Sequence, residues 1–240
     1  MVTLRIWQEE QFHALVESGS GNPLQVLTGL KKEANECGFD YFAYGIQMPV
    51  PISKPSIVMT SNYPRAWQQA YSQNDYIKID PTVKHCRDQF RPIVWTPQLF
   101  RTAPQFWEEA QGHGLRYGWA QSVRSACGAI GMLTLARTRP LVACELRAHV
   151  DRMMWLVQFV HASMEHGLAK HLVPELEVPI TLREREVLRW TAEGKTMFEV
   201  SQILSISENT VTFHLRNIVA KLGCSNKIQA AVKAVALGLL

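Results

Sequence analysis

Tyr63, Trp67 and Tyr71 stand four residues apart, so on a helix their rings fall along one side. Asp80 follows nine residues after Tyr71. An aromatic wall carrying a few polar tips, with one carboxylate nearby, has the make-up of a small-molecule pocket: mostly apolar, with sparse groups that fix orientation. The same residues admit a plainer reading as an ordinary aromatic core. Asp80 has its own alternative, because Asp before Pro81 is a natural helix N-cap with Pro at the first helical position.

A second group with chemical potential lies near the C-terminus. Val211, Leu215, Ile218 and Leu222 recur at i, i+4, i+7 and i+11, a narrow apolar stripe that must pack inward. The opposite side of that helix then presents Asn209, Thr212, Phe213, Arg216 and Asn217, with Thr210 and Lys221 on the flanks. These groups suit base edges, a thymine methyl and phosphates. A solvated face of an amphipathic helix is the alternative, and the surrounding punctuation weighs against it. Thr181-Leu182-Arg183-Glu184 and Thr196-Met197-Phe198-Glu199 are both capping boxes. Gly194 stops the first helix, Ser205-Ile206-Ser207 makes a tight turn, and Gly223 closes a third helix running from Glu208 to Leu222. Helices joined by so short a turn have helix-turn-helix spacing. A last helix is expected over 227–240. From Glu177 onward eight basic residues face six acidic ones. So weak a positive balance grips DNA poorly in one copy, and a dimer reading two half-sites is expected.

The elements that must position these groups divide at 173–179, where Pro174 and Pro179 interrupt helix. Domains are expected at 1–172 and 180–240, with 173–179 as linker. The N-terminal part mixes helices and strands. Asn22-Pro23 opens a helix closed by Gly38, strands are expected at 39–47, 91–95, 118–123 and 129–136, and short helices begin at Pro64 and Pro81. A long amphipathic helix over 143–166 carries Leu146, Val150, Met153, Met154, Val157, Val160 and Met164 toward a core or a partner. The expected class is α+β: an α/β/α sandwich, an antiparallel sheet flanked by helices as in PAS or GAF domains, followed by an all-α four-helix helix-turn-helix domain.

Composition narrows the function classes. The chain has 240 residues, 47% of them hydrophobic, with seven Trp, six Tyr and nine Phe, which excludes a disordered linker protein. A net charge of +4 suits a phosphate-bearing partner without identifying one. No run of apolar residues is long enough for a membrane span, and no secretory leader is evident, so a cytoplasmic protein is expected. Five scattered cysteines without CxxC spacing point to neither disulfides nor a metal site. No GxSxG elbow, HExxH or HxHxDH cluster occurs, and the eight histidines are dispersed, so no catalysis and no cofactor are expected.

The run LREREVLRWTAEGKT from Leu182, ILSISENTV from Ile203 and HLRNIVAKLG from His214 resembles the LuxR-type DNA-binding domain. The resemblance adds His214 to the DNA-contacting set. Phosphorelay response regulators share that domain, but their receiver needs early acidic residues, and the first 38 residues here contain no Asp. The resemblance also extends over NYPRAW from Asn62, Tyr71, DPTV from Asp80, Trp95, FWEEA from Phe106, GLRYG from Gly114 and GMLTL from Gly131, which are similar to the acyl-homoserine lactone binding domain of the LuxR family. It implies that Trp67 donates to a lactone carbonyl, Asp80 accepts from the ligand amide N–H and Tyr63 bonds the amide carbonyl. Tyr71 belongs to the same pocket, Thr134 contacts the head group or first acyl oxygen, and Trp95 walls the lactone. The implied protein is a homodimeric quorum-sensing regulator of promoter DNA. Ligand is expected to complete the N-terminal core, and the apolar stripe of the 143–166 helix is expected either to carry dimerisation or to pack on the domain's own sheet.

Overall fold

A computed structural model describes residues 3–6 and 23–240. They form two compact units, residues 1–125 with 129–168 and residues 126–128 with 169–240. The first unit is built on a six-stranded sheet ordered β1-β3-β2-β6-β5-β4. Its strands are β1 (Thr3–Ile6), β2 (Tyr41–Gln47), β3 (Ser56–Ser61), β4 (Ile93–Val94), β5 (Tyr117–Arg124) and β6 (Ile130–Arg137). Every pairing is antiparallel except β1 with β3, which is parallel at the edge. The α+β class and the antiparallel sheet flanked by helices are as expected from the sequence.

Alternation along the strands sends successive side chains to opposite faces. Tyr44 on β2 faces one way and reaches His161, its hydroxyl 2.8 Å from His161 Nδ1. Ala43 and Gln47 face the other way, onto a cavity. The Tyr44 side is covered by α1 (Pro23–Glu36) and α5 (Ala143–Leu172). Asn22, the expected cap of α1, lies outside the described residues. On α5, Met153, Leu156, Val157, Val160 and Met164 are buried. Four of the seven residues of the expected apolar stripe therefore pack within their own unit, while Leu146 and Val150 are half-buried and Met154 is exposed. Helix α5 also runs six residues past the expected end, because no breaker intervenes before Pro174. The cavity side is covered by α2 (Arg65–Gln73), α3 (Pro81–Asp88) and α4 (Pro104–Gly112). Strands β1 and β3 and helix α4 are additions to the elements expected from the sequence, which placed the first strand at 39–47.

Arg137 at the end of β6 is almost wholly buried, yet fully partnered. Its guanidinium donates to Gly38 O at 3.0 Å, Arg139 O at 3.1 Å and Pro140 O at 2.5 Å, and pairs with the Glu145 carboxylate. One side chain thus ties the turn after α1, the end of the sheet and the start of α5 together, which is the arrangement a buried charge requires.

The second unit is helical: α6 (Leu182–Ala192), α7 (Met197–Leu204), α8 (Glu208–Lys221) and α9 (Lys227–Ala236). Both capping boxes close as read from sequence, with Thr181 accepting from Glu184 N and Thr196 from Glu199 N. Ser207 caps α8 by accepting from Thr210 N at 3.1 Å. Val211, Leu215, Ile218 and Leu222 are all buried against Val187, Leu188, Val200 and Ala230. Helix α9 stops at Ala236, short of the expected 240, because Gly238 turns left-handed at φ +65° just beyond it.

Helix α5 approaches the sheet closely at Gly131, where a Cβ would sit 2.3 Å from His161 Nδ1. His161 is buried and cannot swing aside, so Gly131→Ala should destabilise the protein by about 1–3 kcal/mol. Gly29→Ala, in the middle of α1 with open space around its Cβ, should instead stabilise by about 0.5–1 kcal/mol. Thermal melts of the two variants check the opposite signs.

Candidate functional site

The cavity between the sheet and helices α2–α4 has about 960 Å³ of empty space when the open solvent at its mouth is counted. Its floor is the cavity side of β2 and β6, whose cross-strand pairs are Ala43 with Thr134, Gly45 with Met132 and Gln47 with Ile130. From first pair to last the floor extends four residues, about 13 Å along the strands. Gly45 leaves the middle of that floor bare, and Met59 and Met132 supply flexible apolar walls.

Tyr63, Trp67, Tyr71, Asp80, Trp95 and Thr134 all line this one cavity. Helix α2 places Trp67 and Tyr71 by the four-residue spacing, their rings edge-on at 5.8 Å. Tyr76 stacks on Trp67 at 5.8 Å, and Phe106 of α4 closes the cluster at 5.6 Å from Trp67. At the other side Phe100 and Trp107 stack face to face at 4.0 Å, and Trp95 stands edge-on to both. Trp95 needs Gly118 beneath it, where a Cβ would lie 2.5 Å from the indole Cδ2. The contributions of Ile57, Met59, Phe100 and Met132 lay outside the sequence reading. Their only signal there is apolar character, which any core residue shares.

Asp80 is both cap and cavity group. Its Oδ1 accepts from Thr82 N at 2.8 Å and Thr82 Oγ1 at 2.6 Å, and its Oδ2 accepts from the Tyr71 hydroxyl at 3.0 Å. Burial pushes the Asp80 carboxyl above the usual range, while the Thr82 and Tyr71 hydrogen bonds pull it back. Burial, then the Asp80 charge, raises the Tyr63 and Tyr71 hydroxyls, so both stay protonated donors. A carboxylate offers about four lone-pair sites. Thr82 and Tyr71 take three of them, the Val83 backbone N–H adds a weaker contact, and the carboxylate still lines a mostly apolar cavity.

In the helical unit, Asn209, Phe213 and Arg216 are exposed on α8, and Thr210, Thr212, His214 and Asn217 are half-buried. Thr212 Oγ1 donates to Glu208 O at 2.9 Å. Lys221 is held inward, its ammonium 2.7 Å from Glu184 Oε2 and 3.0 Å from Pro179 O, which leaves it one N–H for anything outside.

Residues 22–164 match the family model described as autoinducer binding domain, and residues 178–234 match bacterial regulatory proteins, luxR family. The chain is 46% identical to transcriptional activator protein AnoR of Acinetobacter nosocomialis, over 98% of this chain and 99% of that one. It is 36% identical to the regulatory protein SdiA of Escherichia coli over 90% of each. The solved structure of SdiA in complex with octanoyl-rac-glycerol superposes with a TM-score of 0.80 at 32% identity, covering 96% of this chain and 95% of that chain.

Burial pushes the Glu184 carboxyl up, but Lys221 and the Thr181 hydrogen bonds outweigh it and hold it below the ordinary range. Its contribution is therefore complete above the carboxylate range and lost as pH falls through its lowered pKa. Lys221→Met should lower stability at neutral pH by about 2 kcal/mol, by leaving Glu184 buried and unpaired. It should also flatten the loss of stability on acidification. Chemical denaturation at pH 7 and pH 4 checks both.

Proposed function

The chain belongs to the luxR family of bacterial regulatory proteins, with an autoinducer-binding domain ahead of a helix-turn-helix DNA-binding domain, and from that premise we propose that its autoinducer is an N-acyl-homoserine lactone held in the cavity around Asp80. The observation that carries this reading is a buried carboxylate lining a cavity walled by aromatic rings. A lactone amide has one N–H to give that carboxylate, and its carbonyl oxygens suit the donors of Tyr63, Trp67 and Thr134. Tyr71 steadies Asp80, and Trp95 walls the lactone. The acyl chain runs over the bare floor at Gly45, where each buried methylene contributes about 0.8 kcal/mol.

A neutral acylglycerol is the second reading, favoured by what the SdiA structure contains. A glycerol hydroxyl would take the amide's place at Asp80. Neither ligand calls for a catalytic step or a cofactor, and we assign the protein none.

Residues 1–172 and 180–240 act as the sensing and DNA-binding domains with 173–179 as linker, in the cytoplasm, where promoter DNA is reached. Asn209, Thr210, Thr212, Phe213, His214, Arg216 and Asn217 face the DNA, and Lys221 contributes its remaining N–H. Two copies supply the phosphate contacts that a weakly basic domain lacks. Trp155 and Phe159, stacked at 5.0 Å and exposed on α5, form the surface a second sensing domain covers. Exposed Ile228, Val232 and Val235 on α9 do the same between DNA-binding domains. Ligand stabilises the folded form by mass action and so favours the dimer.

Two experiments test this reading. Asn caps helices about as well as Asp, so Asp80→Asn should fold and melt near the parent while lactone affinity falls about 10- to 100-fold, the value of one charge-assisted hydrogen bond. Undiminished affinity with a lowered melting temperature would reduce Asp80 to its capping role. Trp155→Glu should give a monomer by light scattering, with DNA affinity lowered at least tenfold; a dimer of unchanged affinity would place the contact elsewhere.

A further inference from the structure

Helix α8 carries a second stripe at the same spacing as its buried one. Asn209, Phe213, Arg216 and Ala220 stand at i, i+4, i+7 and i+11, rotated to the far side of the helix, and all four are exposed. Phe213 sits near the middle of this stripe, 60% exposed, its ring edge-on to His214 at 5.6 Å. Asn209 and Arg216 flank it one turn away on either side. Nothing in the folding of the unit accounts for a wet phenyl ring there. The core of this unit is complete without it, and a polar residue would serve a solvated face better.

The flanking residues say what covers the ring. Arg reads the O6 and N7 acceptors of guanine, and Asn reads the N6 and N7 edge of adenine, both in the major groove. In that groove the apolar group on an unmodified base edge is the C5-methyl of thymine. We propose that Phe213 is a specificity-determining residue that packs on a thymine C5-methyl in each half-site, between the bases read by Asn209 and Arg216. The proposal rests on the DNA-binding reading of α8 and goes beyond it by assigning a base type to one side chain. Thr212, the preceding residue, is half-buried, its hydroxyl engaged by Glu208 O and 3.4 Å from Met197 Sδ. Phe213, 60% exposed, presents the larger apolar surface on this stretch of the helix.

The test replaces the methyl rather than the base. Duplexes bound by the full-length protein, with its autoinducer when required, are selected from a random library. The selected site is then synthesised with thymine or with deoxyuridine throughout, which deletes every C5-methyl and keeps the pairing. Titrations at low salt keep weak complexes measurable. The uracil duplex should bind the parent protein more weakly by about fourfold for each half-site, the value of one buried methyl group. Phe213→Ala should bind the thymine duplex more weakly and no longer distinguish thymine from uracil, while melting like the parent. Phe213→Leu, still apolar, should retain part of the discrimination. Equal binding of both duplexes by the parent, or an undiminished preference in Phe213→Ala, would overturn the proposal. Failure to select any duplex would instead remove the DNA-binding reading beneath it.

Discussion

A buried carboxylate is costly unless its lone pairs are satisfied, and much of the sensing unit is arranged around satisfying that of Asp80. Helix α3 begins at Asp80 because the side chain accepts from Thr82 N, so the group that starts the helix is also fixed in direction. Helix α2 lies where the Tyr71 hydroxyl can reach the other oxygen. Trp67, one turn earlier on α2, is thereby set against Tyr76 and Phe106. What remains is a buried carboxylate facing an incompletely filled cavity. A neutral ligand with one N–H and an acyl chain partners the first and fills the second, which is why binding and folding stability are coupled in this account.

The two faces of the sheet divide the labour. The face toward α5 is tightly packed, close enough that Gly131 cannot carry a side chain beneath His161. The other face is floored by Ala43 and Gly45, small residues that leave space where the first face leaves none. Space for a ligand therefore lies on the second face, while the first is filled by the protein's own helices.

The helix-turn-helix unit was legible nearly residue by residue, because its signals are local. Capping boxes at Thr181 and Thr196, the cap at Ser207 and the glycine at 223 act within a few residues of where they stand. Only the end of α9 was misplaced, since Gly238 reads as one more residue in an apolar run until its left-handed backbone is seen. The sensing unit was legible in part. Strand β3 passed unread between two prolines, because Ile57-Val58-Met59 becomes a strand through pairing with β2, a contact absent from its own sequence. At the site, the four-residue spacing set Trp67 and Tyr71 on one side of α2, and Asp80-Pro81 declared the cap of α3. Tyr63, expected on the same helix as Trp67, precedes its start at Arg65 and reaches the cavity from the bend before it. That Trp95 and Thr134 share their cavity was legible only by resemblance, since strands β4 and β6 bring them there from remote positions. Lys221 shows the opposite limit: its place on the helix suggested DNA, and only the fold revealed Glu184 beside it.

The central claim is that the Asp80 cavity retains an acyl-homoserine lactone. Its most direct test is mass spectrometry of small molecules extracted from the purified protein, produced in a host that makes no lactones and is fed a mixture of acyl-homoserine lactones of varied chain length. The account predicts one retained lactone species, with a higher yield of soluble protein than from the unfed culture. Soluble, folded protein carrying no lactone, or only an acylglycerol from the host, would contradict it.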